Sequence, residues 1–166
     1  MIVKSESIKN YERIFLRRGA SLQLLEKSTN DKERLLRILK AIDSDFIFPT
    51  EQKLQLDSYA IKLLNNAYNF ILINEEHDIG VISIYANDHT SKIAFASTIG
   101  LLPSYRGGSF ALYLVKFGLE FCKEVGMVKA RAEIRKDNSK WLKFLLRQKF
   151  EIESETETSY YIIKNL

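Results

Sequence analysis

The run Leu101-Leu102-Pro103-Ser104-Tyr105-Arg106-Gly107-Gly108-Ser109-Phe110-Ala111 carries residue types suited to holding a phosphate. An apolar, strand-like stretch closes on proline. A basic residue, two glycines and a serine follow, and a helix then begins. Small residues let backbone N–H groups turn towards one point. The helix that starts there adds unpaired N–H groups and the positive end of its dipole. A phosphate-bearing cofactor is the ligand such a pocket implies. Paired glycines before a helix also serve as plain turn chemistry, so the surrounding elements have to decide.

Other reactive side chains are sparse. The two histidines sit in polar turns, His77 within Glu75-Glu76-His77-Asp78 and His89 within Asn87-Asp88-His89-Thr90. Both read as solvated turn residues. With one cysteine, Cys122, they make no zinc ligand set, and no metal is expected. Cys122 lies beside Phe121 on an apolar helix and reads as a packed thiol. A lone cysteine excludes an internal disulfide and suits a reducing compartment, and the expected location is the cytoplasm. The N-terminal Met-Ile-Val-Lys-Ser-Glu shows no apolar leader.

The chain has 166 residues, 46% apolar and 28% charged, which fits a single domain, residues 1–166, with a sizeable core. Its net charge of +4 comes from 25 basic and 21 acidic residues. That excess suits an anionic ligand and is too small and too dispersed to argue for nucleic acid. No apolar run reaches membrane-spanning length. A monomer or a homodimer is expected.

The first half reads as helical. Leu35, Leu36, Ile38, Leu39 and Ile42 recur at helical spacing over Asp31–Ile42, with Asn30 or Asp31 as N-cap. Ser44 to Thr50 breaks the pattern. A second helix runs from Glu51 or Leu56 to Ala67, with Tyr59, Leu63 and Leu64 inward. Tyr11 to Arg18 reads as a helix, and Ser21 to Lys27 as a helix or a strand.

The second half changes period. Phe70–Ile73 and Ile79–Tyr85 read as a hairpin, and Ile93–Leu102 as a third strand. After the glycine turn, Ser109–Val125 is a helix with Phe110, Leu114, Phe117, Phe121 and Val125 on one side and Gly126 as its stop. Val128–Arg135 is a strand, and a short helix runs from Asn138 or Ser139 to Gln148, with Trp141 and Phe144 as core. Ile152–Glu155 and Tyr160–Lys164 form a last hairpin. This is an α+β order: a mixed, mostly antiparallel sheet with a central strand–helix–strand crossover, flanked by helices. Ligands of such crossovers bind beyond the carboxyl ends of the strands, where the glycine turn lies.

Order and motifs together resemble the GNAT family, the GCN5-related N-acetyltransferases, over about residues 55 to 164, with residues 1–54 as a helical N-terminal part. The family signature Arg/Gln-x-x-Gly-x-Gly/Ala reads here Arg106-Gly107-Gly108-Ser109-Phe110-Ala111. Arg106 and Ala111 match, and Ser109 replaces the usual glycine. A second element, Asn followed by a short helix ending in Gly-Phe, runs from Asn138 to Lys149-Phe150, with Lys149 in place of glycine. The segment Ile84-Tyr85-Ala86-Asn87-Asp88 is similar to family members that act on cell-surface polysaccharides.

The resemblance implies acetyl-CoA as co-substrate and direct attack of a primary amine on its thioester. The acceptor is read as a small molecule, with amino sugars among the candidates. A protein or peptide acceptor and a non-catalytic CoA-binding module stay as alternatives. The backbone of Gly107, Gly108, Ser109, Phe110 and Ala111 would cradle the pyrophosphate, with Arg106 adding charge and Ser109 acting as donor, as N-cap or as both. Ile99, Leu101 and Leu102 would pair with the pantetheine arm, and Asn138 would contact that arm or cap its helix. Many family members carry a tyrosine acid where this chain has Leu145, and a carboxylate on the fourth strand, which here has none. Glu133 is the nearest candidate base and Tyr105 a substitute acid. Ser97 and Thr98 would hold a relay water or simply pack. Tyr85 and Asn87 would shape the acceptor end.

Overall fold

A computed structural model describes residues 5–42 and 53–166. The expected break at Ser44–Thr50 and a helix start at Glu51 lie outside the described residues. The elements are α1 (Glu6–Leu16), β1 (Ala20–Leu24), α2 (Thr29–Ala41), α3 (Lys53–Asn66), β2 (Tyr68–Asn74), β3 (His77–Tyr85), β4 (Ile93–Leu101), α4 (Phe110–Glu124), β5 (Lys129–Arg135), α5 (Ser139–Arg147), β6 (Glu151–Glu155) and β7 (Ser159–Asn165).

The expected helices and strands of the second half are all present. Ser21–Lys27 resolves as a strand, β1, which pairs antiparallel with β2, so the N-terminal part is not wholly helical. The cap of α2 also differs. Ser28 is the N-cap and its hydroxyl accepts the Asp31 N–H at 3.1 Å. Asp31, at the third helical position, reaches back to accept the Glu26 N–H at 2.7 Å. The two bonds satisfy one donor in the helix and one just before it, and they fix Ser28 as the N-cap.

Seven strands form one sheet in the order β1-β2-β3-β4-β5-β7-β6. Every pairing is antiparallel except β4 with β5, the crossover around α4. One face packs on α1 and α4 through Phe15, Phe70, Leu72, Ile82, Phe117 and Phe121, all buried. The α5 helix covers β5 and β7 on that same face, through Leu145, Ala132, Ile134 and Ile162. The opposite face packs on α2 and α3 through Leu35, Leu39, Leu63, Ile71 and Val81. On β5 and β7 this second face carries Arg131, Glu133, Arg135 and Tyr161, all half-exposed.

Along α4, α1 runs antiparallel. At its start, the backbone N–H groups of Glu6 and Ser7 donate to the Glu124 carboxylate at 2.7 and 3.0 Å. Near its middle, the Tyr11 hydroxyl donates to Glu120 at 2.8 Å. Just past its end, Arg18 meets Ser109 and Tyr113 at the start of α4.

Candidate functional site

The centre of the sheet opens along one line. β4 and β5 pair only over Ile93–Ala96 and Lys129–Ala132. Beyond that point both strands continue without pairing to each other. The cause is a bulge in β4: Ala96 pairs with Ile84 and Thr98 with Ser83, leaving Ser97 as the extra residue. A bulge bends its strand and increases its twist. The unpaired edge of β4 from Ser97 to Leu101 spans roughly 16 Å.

Backbone direction along that edge follows from one bond. The Leu102 N–H donates to the Ile79 carbonyl at 2.8 Å, towards β3. Alternation then turns the backbone of Leu101 and Ile99 into the opening. Consistent with this, the Leu101 carbonyl accepts from Arg106 Nε at 2.8 Å. Ile99 and Leu101 therefore turn their backbone groups away from β3, with the Leu101 carbonyl held by Arg106. Leu102 does not: its N–H belongs to the β3 ladder and cannot pair with an inserted arm.

At the carboxyl end of β4 the chain turns through a short 3-10 segment, Pro103–Tyr105, into the glycine pair. Gly107 has φ +81°, a conformation that favours glycine. A Cβ built on Gly107 or Gly108 would meet nothing within 4 Å, so the space over the turn is open. Ser109 adopts helical angles, φ −84° and ψ −10°, and its side chain does not cap the helix. Its hydroxyl instead accepts from Arg18 Nε at 3.2 Å. The first bond of α4 is Tyr113 N–H to the Ser109 carbonyl, so the N–H groups of Phe110 and Ala111 have no partner within the helix. Phe110 seals the turn from below against Phe15 and Tyr105, both at 6.3 Å between ring centres. Open space, a left-handed glycine and N–H groups without a partner in the helix fit a diphosphate. Asn138, just past β5, occupies the N-cap of α5 with no side-chain cap bond, which leaves its amide for a ligand.

On the second face of the sheet a different set of groups converges at the point of separation. Glu133 is the first residue of β5 past the last pair, and Ser97 the first of β4. The Tyr59 hydroxyl, from α3, lies 2.7 Å from Ser97 Oγ and 2.7 Å from Thr98 Oγ1. Tyr161 pairs with Glu133 across β5 and β7. The Glu133 charge, then burial and a hydrogen bond to Glu133, push the Tyr161 phenol up. Tyr85 stands on this face too, its phenol raised by burial and by Tyr59. On this face an open concavity of about 540 Å³ is lined by Phe95, Arg131, Glu153, Ser154 and Tyr161, the last being the cross-strand partner of Glu133. Arg131 and Glu153 form a two-pronged ion pair at 2.7 and 2.8 Å in its wall.

Two expected site residues stand apart from this point. Tyr105 packs on Phe110 in the α1–α4 cluster, at the far end of the opening and on the other face from Glu133. Asn87 donates to the Asn66 carbonyl at 3.1 Å, tying the loop after β3 to the end of α3. Two residues with no role in the sequence reading join the site. Tyr59 has the spacing of a core residue, and spacing cannot tell a packed ring from one whose hydroxyl reaches a strand. Arg18 reaches Ser109 across 91 residues of chain, and no local signal marks it.

The sequence matches the model of the Acetyltransferase (GNAT) family over residues 35–150. The chain belongs to the GNAT acetyltransferase family. No curated protein matches it. Among solved structures, the PaiA N-acetyltransferase from Thermoplasma acidophilum, in complex with coenzyme A, superposes with a TM-score of 0.71 at 17% identity, over 88% of this chain and 99% of that one. Naa50 from Arabidopsis thaliana, in complex with the bisubstrate analogue CoA-Ac-MVNAL, gives 0.70 at 18% identity, over 89% and 99%. The ribosomal-protein-S18-alanine N-acetyltransferase from Escherichia coli gives 0.70 at 13%, over 88% and 93%. The fold is thus the GNAT fold, with an α+β, mostly antiparallel sheet.

Two departures of this GNAT acetyltransferase from its family pattern now have a physical account. Leu145 is buried between α5 and the sheet with Ala132, Ile134 and Phe150, so it fills core rather than facing the opening. Lys149 takes φ +65°, the left-handed angle that glycine ordinarily supplies after a helix, and the Phe150 N–H returns to the Leu145 carbonyl at 3.2 Å. Trp141 and Phe144, expected in the core, are half-buried and stacked at 5.0 Å. Cys122 is buried, and burial pushes its thiol up to about 12, which makes it inert.

Proposed function

We propose that this GNAT acetyltransferase moves an acetyl group from acetyl-CoA to the primary amine of a small molecule. The observation that carries the reading is the arrangement at the end of the β4–β5 pairing. A free strand edge leads from there to the anion cradle, and on the second face a carboxylate, Glu133, stands at the same point. The N–H groups from Gly107 to Ala111, with the charge of Arg106, would hold the pyrophosphate. The backbone of Ile99 and Leu101 would pair with the arm as an added strand would, and the Asn138 amide would steady it. Bound there, acetyl-CoA supplies an acyl carbon activated as a thioester.

On the second face, Glu133 would take the proton of the incoming ammonium, leaving the nitrogen lone pair free. Tyr161 stands across from this carboxylate on β7, and the Glu133 charge holds its phenol protonated. The N–H groups lining the opening would favour the oxyanion that develops on the carbonyl. The concavity of about 540 Å³ lined by Tyr161, the cross-strand partner of Glu133, has the size of a small-ligand site, and its Arg131–Glu153 pair suits a polar amine such as an amino sugar. We read the compartment as the cytoplasm, a reading supported by the single buried thiol.

A panel of amino sugars, polyamines, amino acids and N-terminal peptides, incubated with acetyl-CoA and read as free thiol, tests the proposal. Thiol release with a small amine is the expected result. Release with peptides alone would move the acceptor to a protein N-terminus. No release with any member, together with CoA binding by calorimetry, would make the chain a cofactor-binding module.

A further inference from the structure

Arg18 lies outside residues 35–150, the stretch that matches the family. It follows α1, and the antiparallel packing of α1 on α4 delivers it to the first turn of α4. Its guanidinium is held there by three bonds: Nε to Ser109 Oγ at 3.2 Å, one terminal nitrogen to the Tyr113 hydroxyl at 2.9 Å, and the other to the Ile14 carbonyl at 2.9 Å. It also lies 4.1 Å from the centre of the Tyr113 ring.

All three acceptors are neutral, and the arginine is exposed. A cation at the start of a helix meets the positive end of the dipole, which disfavours it. Arg106, three residues before Ser109, carries a second positive charge and is tied through Nε to the Leu101 carbonyl. An anion seated at this helix start is attracted by the dipole and by Arg18 alike. A guanidinium has more N–H groups than the three used here, so donors remain for that anion. Ser109 acquires a reason in the same stroke. The family's usual glycine has no atom with which to anchor Arg18.

We infer that Arg18, anchored by Ser109 and Tyr113, is a binding residue for the pyrophosphate of the cofactor, supplied by a helix outside the family core. The inference rests on the acetyl-CoA reading of the cradle. It explains why this chain tolerates a serine in the glycine signature: the serine hydroxyl converts a mobile surface arginine into an oriented donor.

Calorimetric titration of the whole protein with CoA and with dephospho-CoA (which keeps the pyrophosphate and lacks the ribose phosphate) tests this without any acceptor. Arg18→Gln should weaken both ligands about 10-fold and lower the salt dependence of binding. Ser109→Gly, which restores the family residue, should weaken both roughly 3-fold by releasing the anchor, a smaller loss because the charge remains. Thermal unfolding of each free variant, expected to match the parent, verifies the fold. Unchanged affinity in Arg18→Gln would overturn the inference, and a loss confined to CoA would overturn the pyrophosphate assignment. Unchanged or tighter binding in Ser109→Gly would overturn the anchoring role. Absence of CoA binding by the parent protein would instead sink the reading of the cradle itself.

Discussion

Glu133 and Tyr59 approach the separation of β4 and β5 from two sides. Glu133→Gln keeps the shape and removes the proposed base. We expect kcat to fall by about 100-fold or more, with the KM for acetyl-CoA altered less than about 3-fold, since general-base catalysis contributes on that scale. Equal loss in both parameters would give Glu133 a structural role instead. The Tyr59 hydroxyl bridges the bulge hydroxyls of Ser97 and buried Thr98. Tyr59→Phe should cost about 1–2 kcal/mol in urea unfolding, because Thr98 then loses its partner away from water. Lys149 holds a left-handed angle that costs a residue with a Cβ about 1 kcal/mol. Lys149→Gly should therefore raise the urea midpoint, and a lower midpoint would contradict the strain argument.

At the scale of elements, the start of α1 is held by the Glu124 carboxylate. Burial raises the Glu124 carboxyl, but hydrogen bonds from Ser7 and Glu6 outweigh it and leave the group below its ordinary value. The folded state thus binds this proton less well than the unfolded state. Its contribution is complete above the unfolded pKa of about 4.3, and is lost as pH falls through the lowered folded value. Amide exchange in α1 should accelerate relative to α4 as pH is lowered through about 4, after correction for the intrinsic pH dependence of exchange. In Glu124→Gln that relative pH dependence should disappear, and α1 should exchange faster already at pH 7. An α1 that stays protected in the variant would mean that Ile8, Tyr11 and Phe15 hold it by packing alone.

For the whole molecule, the single thiol gives a simple check of the core. Cys122 should not react with a disulfide reagent in the native protein and should react fully in guanidinium, because burial suppresses both access and thiolate. Fast native labelling would mean that the α1–α4 core opens. The same inertness means that a thiol assay reads released CoA alone. Much of this architecture is legible in the sequence because it is local. The glycine turn, the stop at Gly126 and the helical and strand periods follow from backbone freedom and side-chain spacing within a few residues. They determine a glycine turn at the head of a helix in an α+β crossover, and with Asn138 they point to the GNAT pattern. What the sequence leaves open depends on residues far apart in the chain. The extra residue at Ser97 can be counted only against its β3 partner, so the opening, and the exclusion of Leu102 from it, needs the register. Tyr59 meets Thr98 across 39 residues and Arg18 meets Ser109 across 91. Tertiary structure alone decides these contacts, because a side chain's spacing fixes the face it lies on, while packing of one element against another fixes which atoms it reaches.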